Sequence, residues 1–262
     1  MTAAVPMLAF TLTLGLGVSV LSGLLGIGGG IILAPALLYL PSWLGIDSLD
    51  MRAVAGLTMT QALFACLSGA LRHQSHHSIC WPLVRCMGLT IAGASFAGAV
   101  ASSVVRNETL MALFAFLALG AALLMILPQE DQPSPQGDVP SFRRPVAVAI
   151  ALCVGFLGGL VGQGGSFILI PLMLWLLRLP LRIVVGSNLA IVALASLSGF
   201  LGKLLTHQIP LPLAAALVLG AVPGAQVGGV LSRRTPAPVL RGLLAVVILI
   251  AATKIGYDAL PK

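Results

Sequence analysis

Charged residues make up only 8% of this 262-residue chain, against about 25% in an ordinary soluble domain. Acids are the rarer sign. The seven are Asp47, Asp50, Glu108, Glu130, Asp131, Asp138 and Asp258, and all lie between or at the ends of apolar segments. No carboxylate is therefore expected at membrane depth to hold a metal ion or relay a proton. Cysteine is scarce too: Cys66, Cys80, Cys86 and Cys153 form no C-x-x-C pair. Cys80 and Cys86 lie near His73, His76 and His77, but the spacing fits no zinc pattern. No metal and no cofactor is expected. The motifs H-E-x-x-H, G-x-S-x-G and G-x-x-x-x-G-K-[ST] do not occur, so neither an intramembrane hydrolase nor an ATPase is indicated. No polar stretch is long enough to fold alone, and no alternating strand pattern of the barrel type occurs.

What the chain does have is apolar length. Hydrophobic residues reach 58%, with a mean hydropathy of +1.08. A spanning helix needs about 20 apolar residues. Ten segments emerge, at roughly 4–25, 30–45, 53–72, 81–104, 109–127, 145–161, 166–178, 183–205, 211–232 and 237–257. The N-terminus lacks the positive n-region of a secretory signal and reads as the start of the first helix. The formal net charge of +7 would suggest nucleic acid in a soluble protein. Here basic loops follow from the positive-inside rule, and no nucleic-acid partner is expected.

Two glycine-rich stretches are copies of each other. The first runs from Ser22 through Gly23, Gly26, Gly28, Gly29 and Gly30 to Pro35; the second runs from Gly158 through Gly159, Gly162, Gln163, Gly164, Gly165 and Ser166 to Pro171. Gly23, Gly26, Gly28, Gly29 and Pro35 fall on Gly159, Gly162, Gly164, Gly165 and Pro171 at one constant offset. Glycine inside a helix costs about 1 kcal/mol relative to alanine, so clustering it twice at matching places marks two broken helices. After a shift of six residues the likeness continues: Arg52, Gly56 and Thr58 fall on Arg182, Gly186 and Asn188, and His77, Pro82 and Gly98 on His207, Pro212 and Gly228. Each half is thus one unit used twice: residues 1–127, a polar linker at 128–144, and residues 145–262.

Basic residues set the orientation. If each half crosses the membrane five times, Arg72, Arg85, Arg143, Arg144, Arg178, Arg182, Arg233, Arg234 and Arg241 share one side, against Arg52, Arg106, Lys203, Lys254 and Lys262 on the other. With one crossing fewer per half, the same residues divide evenly. The rule favours the first, an inverted repeat with a cytoplasmic linker. The expected fold is an all-α polytopic membrane protein of two homologous, inverted repeats of about five hydrophobic segments each, with glycine-broken helices in the core.

A helix beginning just after a glycine knot presents unpaired N–H groups and the positive end of its dipole. Two such starts make an anion site without a charged side chain. Candidate binding residues are Gly28, Gly29, Gly30, Gln163, Gly164, Gly165 and Ser166. Polar residues at depth on the third segment of each half, Thr58, Ser187 and Asn188, join them. Arg52 and Arg182 head equivalent helices and could attract an anion at each mouth. His77 and His207, at mirror places, are candidates for proton coupling. Free carbonyls could instead bind a cation, and small residues could serve packing alone; Gly15, Gly17, Gly88, Gly93, Gly98, Gly120 and Gly242 are read as packing glycines.

The paired G-x-x-G-x-G-G-G/S…P stretches, each followed by an R-x-x-x-G-T/S-N/T helix, resemble the TauE/SafE family, the sulfite exporter or toluenesulfonate uptake permeases. The resemblance covers essentially the whole chain. It implies a multi-pass inner-membrane transporter of small sulfur anions such as sulfite, sulfoacetate or other sulfonates, with the lipid bilayer as its surroundings. The first half departs from the pattern, with Leu57-Thr58 where the second has Ser187-Asn188. The sequence leaves open an anion channel, membership of a larger transport complex, and a homo-oligomer.

Overall fold

The computed structural model describes residues 4–25, 28–43, 45, 49–74, 79–126 and 142–235, with Val239, Gly242 and Val246 beyond them. Nine helices fill these residues: α1 (Ala4–Leu25), α2 (Gly30–Trp43), α3 (Met51–Gln74), α4 (Trp81–Ala101), α5 (Asn107–Ile126), α6 (Arg144–Val161), α7 (Ser166–Leu176), α8 (Leu181–Leu205) and α9 (Leu211–Arg234). Most edges fall within three residues of those read from the sequence. The tenth segment, most of the polar linker, His76 and His77 lie outside the described residues.

Five helices are long and apolar enough to cross a membrane, within α1, α4, α6, α8 and α9. α2, α5 and α7 yield only shorter apolar stretches, Ser166–Leu176 the shortest at 11 residues. At 1.5 Å per residue it is only about 17 Å long, well short of the ~30 Å hydrocarbon core. Large apolar side chains point outward all around, among them Leu89 (79% exposed), Phe116 (72%) and Leu219 (70%). In lipid such exposure has no hydrophobic cost; it is the expected outer face of a polytopic protein.

The helices interlock across the two halves of the chain. α1 packs along α9 and α6 along α4, while α3 and α8 lie against each other and against α9 and α4 respectively. Glycine allows the closest approaches, because without a Cβ one backbone can lie on another. A Cβ on Gly23 would strike the Ala225 carbonyl, and one on Gly159 the Ser95 carbonyl; one on Gly228 would strike the Val20 carbonyl, and one on Gly98 the Phe156 carbonyl. The Gly23–Ala225 contact thus recurs as Gly159–Ser95, and the Gly98–Phe156 contact as Gly228–Val20, at the offsets read from the sequence. Gly15 and Gly88 also sit at tight crossings. Gly17, Gly93, Gly120 and Gly242, by contrast, have no atom near the position of an added Cβ. Among the described residues those four therefore sit at no tight crossing, and Gly17 and Gly93 face outward.

A second correction concerns Lys203. Counted among the loop cations, it lies inside α8 and is fully buried. Its Nζ donates to Ser102 Oγ at 2.8 Å and Gln208 Oε1 at 3.0 Å. The end of α4 and the turn after α8 cover it, so it is not a surface charge that could set orientation.

Candidate functional site

α6 ends because Gly162 enters the left-handed region at φ 80°. The Gly162 and Gln163 N–H groups then turn back to the Gly159 and Gly158 carbonyls at 3.3 and 2.8 Å, the double bond of a Schellman ending. Gly164 (φ 57°) and Gly165 (φ 76°) carry the chain into α7. Gly28 (φ 69°) and Gly29 (φ 75°) do the same before α2. Both knots therefore need glycine at equivalent places for backbone reasons alone. Space agrees with conformation: a Cβ on Gly165 would strike Val154, and one on Gly29 would come within 3.0 Å of the equivalent Val18.

The two knots meet. Gln163 Nε2 donates to the Gly30 carbonyl at 3.1 Å, and a Cβ on Gly30 would lie 3.0 Å from the Gln163 side chain. A Cβ on Gly28 would lie 3.1 Å from Cys66 Sγ and 3.2 Å from Ser166 Oγ. A Cβ on Gly164 would lie 2.9 Å from Ser196 Oγ, at the position in α8 equivalent to Cys66 in α3. The third helices close the sides. Thr58 Oγ1 donates to the Gly162 carbonyl at 2.8 Å, and Asn188 Nδ2 to the Ser166 carbonyl at 3.4 Å. Gln61 lies against Gly29 while its Nε2 donates to Ser19 Oγ at 2.9 Å.

Several polar groups here lack partners among the described residues. α7 has no side-chain cap. Ser166 N–H reaches the Gln163 carbonyl at 3.2 Å and Leu169 N–H the Gly165 carbonyl at 3.0 Å, but the Phe167 and Ile168 N–H groups between them meet no described acceptor. Ser166 Oγ, Gln163 Oε1, Ser196 Oγ and Gln61 Oε1 are buried without a hydrogen-bond partner. Native structures leave few such groups, each costing about 1–3 kcal/mol. One turn into each helix, Pro35 and Pro171 have no N–H to offer the Ile31 and Phe167 carbonyls. The site thus shows N–H groups at the helix starts and carbonyls just beyond, with Gly28, Gly29, Gly30, Gln163, Gly164, Gly165 and Ser166 all buried.

Other sequence-based candidates fall elsewhere. Ser187 Oγ accepts the Cys80 N–H at 2.9 Å, so it anchors the start of α4. Arg52 and His207 lie together at one end of the bundle, lining a cleft with Gln208. Arg182 opens α8, its side chain outside the described portion.

Residues 11–255 match the sulfite exporter TauE/SafE family. The chain belongs to this family. Similar proteins span comparable lengths. A probable membrane transporter protein of Bacillus subtilis, YunE, is 24% identical over 94% of this chain and 96% of its own. A second from the same organism, YjnA, is 23% identical over 92% and 97%. A probable membrane transporter protein of Methanocaldococcus jannaschii is 24% identical over 76% and 73%. No solved structure matches. The TauE/SafE chain is accordingly a multi-pass membrane protein of a transporter family, not an enzyme.

Within this TauE/SafE chain, sequence reasoning missed Cys66, Ser196 and Lys203 as neighbours of functional candidates. Cys66 and Ser196 carried a usable signal, since they occupy equivalent positions on the third helices. Lys203 carried none: a lysine near a helix end usually extends to the interface.

Proposed function

We propose that this protein is a secondary carrier of small anions, most specifically sulfite, sulfonates or related organosulfur anions, bound where the two glycine knots meet. The observation that carries the reading is the set of uncapped helix-start N–H groups and unpartnered Ser166 and Ser196 hydroxyls, sealed from solvent at that junction. An oxyanion accepts hydrogen bonds on every face and satisfies such donors without a buried cation. A cation would need a negative partner for its charge. No carboxylate stands beside the knots among the described residues, and the carbonyls freed by Pro35 and Pro171 supply only dipoles.

The two halves act as inverted repeats. The interchangeable helix pairings support this, as do the matched glycine contacts and the shared positive φ values at Gly28/Gly164 and Gly29/Gly165. The junction would then lie on the pseudo-two-fold axis, as in alternating-access carriers built from broken helices. Because the knots are buried in this arrangement, substrate entry requires the halves to move apart on one side.

A thermal-shift screen of the purified chain tests the anion class. Sulfite, sulfate, thiosulfate and short sulfonates are compared with chloride at equal sodium. Stabilisation by at least one sulfur anion, and a smaller stabilisation by the same anion in Gly164→Leu, is expected. Equal stabilisation by every sodium salt, retained in Gly164→Leu, would sink the assignment.

A further inference from the structure

Away from the knots, the cations at one end of the bundle form a constellation that transport through the centre does not use. A cleft of about 390 Å³ opens there between the start of α3, the ends of α4 and α8, and the start of α9. Asp50, Arg52, Ser103, Thr206, His207 and Gln208 are among its lining residues. Arg52 is held in place by the Val105 carbonyl, which accepts from Nη2 at 2.8 Å and Nε at 3.3 Å. Its Nη1 meets no acceptor among the described residues. Asp50 shares the cleft, but its Oδ1 accepts the Ala53 N–H at 2.9 Å as the cap of α3. Among the described residues the single ion pair is Arg106 with Glu108, so neither Arg52 nor Lys203 has a paired carboxylate.

Lys203 lies under the cleft floor. Its Nζ donates to Gln208 Oε1, and Gln208 Nε2 donates to Thr206 Oγ1 at 2.7 Å and the Ala99 carbonyl at 3.3 Å. An ammonium taken out of water carries a penalty of several kcal/mol unless something offsets it. Neutral oxygens offset only part.

His207 adds an independent sign. The turn after α8 repeats the Schellman pattern of α6: Gln208 N–H bonds the Lys203 carbonyl at 3.0 Å and His207 N–H the Leu204 carbonyl at 3.2 Å. At the left-handed position, where α6 has Gly162, α8 has His207 at φ 54°. A side chain there costs about 1–3 kcal/mol. Glycine would close the same turn without strain. The histidine is held in a strained turn on the wall of the same cleft as Arg52.

We propose that this cleft is a second anion site, in which Arg52 and His207 contact a small oxyanion while Lys203, bonded to Gln208, holds the floor in place. It stands at the mouth of the bundle and does not depend on the central knots binding anything. A free sulfur oxyanion and the phosphate of a lipid headgroup share the required chemistry; we assign the free anion, because six of the nine lining residues are polar and they come from loops and helix ends.

The test is equilibrium binding of radiolabelled sulfate to the purified full-length chain in lipid-free detergent, and in nanodiscs of phosphatidylcholine or phosphatidylglycerol. Binding should resolve into two classes of site, one of which is weakened about tenfold or more by Arg52→Gln, the scale of one lost charge-assisted hydrogen bond. His207→Gly should weaken it as well. That variant relieves backbone strain, so its loss of binding cannot be laid to misfolding. Binding should persist in both nanodiscs. The proposal is overturned if Arg52→Gln and His207→Gly bind sulfate like wild type. Loss of sulfate binding only in phosphatidylglycerol nanodiscs would overturn the free-anion assignment in favour of a headgroup.

Discussion

Ser166 illustrates how a single side chain separates stability from function. Its hydroxyl is fully buried without a partner, so in the empty protein it is a cost rather than a support. Ser166→Ala should raise the unfolding free energy of the ligand-free chain by about 1 kcal/mol while weakening sulfur-anion binding several-fold. Thermal unfolding with and without ligand reads both. A loss of stability with unchanged binding would mean that Ser166 is structural. Legibility varied among such residues. Gln163 and Asn188 stood out as polar residues in apolar runs, and both reach the junction. Ser187 stood out equally and instead anchors α4, since the sequence does not say that Cys80 N–H waits beside it. Lys203 was hidden because its cover, Ser102 and Gln208, comes from two helix ends brought together by tertiary packing.

Among helices, the glycine contacts divide into two kinds that composition cannot distinguish. Gly98 and Gly228 have a facing backbone carbonyl where a Cβ would go, whereas Gly17 and Gly93 have nothing nearby. Replacing Gly98 or Gly228 with leucine should therefore force α4 from α6, or α9 from α1, with a loss of a few kcal/mol typical of overpacking. The same change at Gly17 or Gly93 should be tolerated, since leucine is a better helix former than glycine and those faces look outward. The yield of monodisperse protein and its melting temperature check the contrast. Similar losses at all four positions would contradict the interlocked packing. Helix positions themselves were legible from runs of apolar residues between turn signals. Which face of each helix meets which neighbour was not, because the outer faces are as apolar as the inner ones and periodicity loses its meaning in lipid.

The whole molecule is interlocked: the first helix of each half packs on the fourth helix of the other. Neither half can bury its own glycine faces alone. Residues 1–134 or 135–262 expressed separately should be degraded or aggregate, whereas co-expressed they should assemble and co-purify; a half that folds alone would overturn the interlock. The likeness of the two knots was legible because both are rich in glycine, and glycine is demanded by φ and by close approach at the same places. That the knots touch followed only from reading them as two halves of one site, since no local pattern encodes the approach of two segments so far apart in the chain; the Gln163–Gly30 bond bears out their meeting. The central claim is that this contact is the transport site. Uptake of radiolabelled sulfite or a short sulfonate into liposomes, with Gly28→Leu, Gly164→Leu and the outward-facing control Gly17→Leu, tests it most directly. Transport should vanish in the first two variants, both still inserted and monodisperse, and remain near wild type in the third; normal transport by both Gly28→Leu and Gly164→Leu would contradict the account.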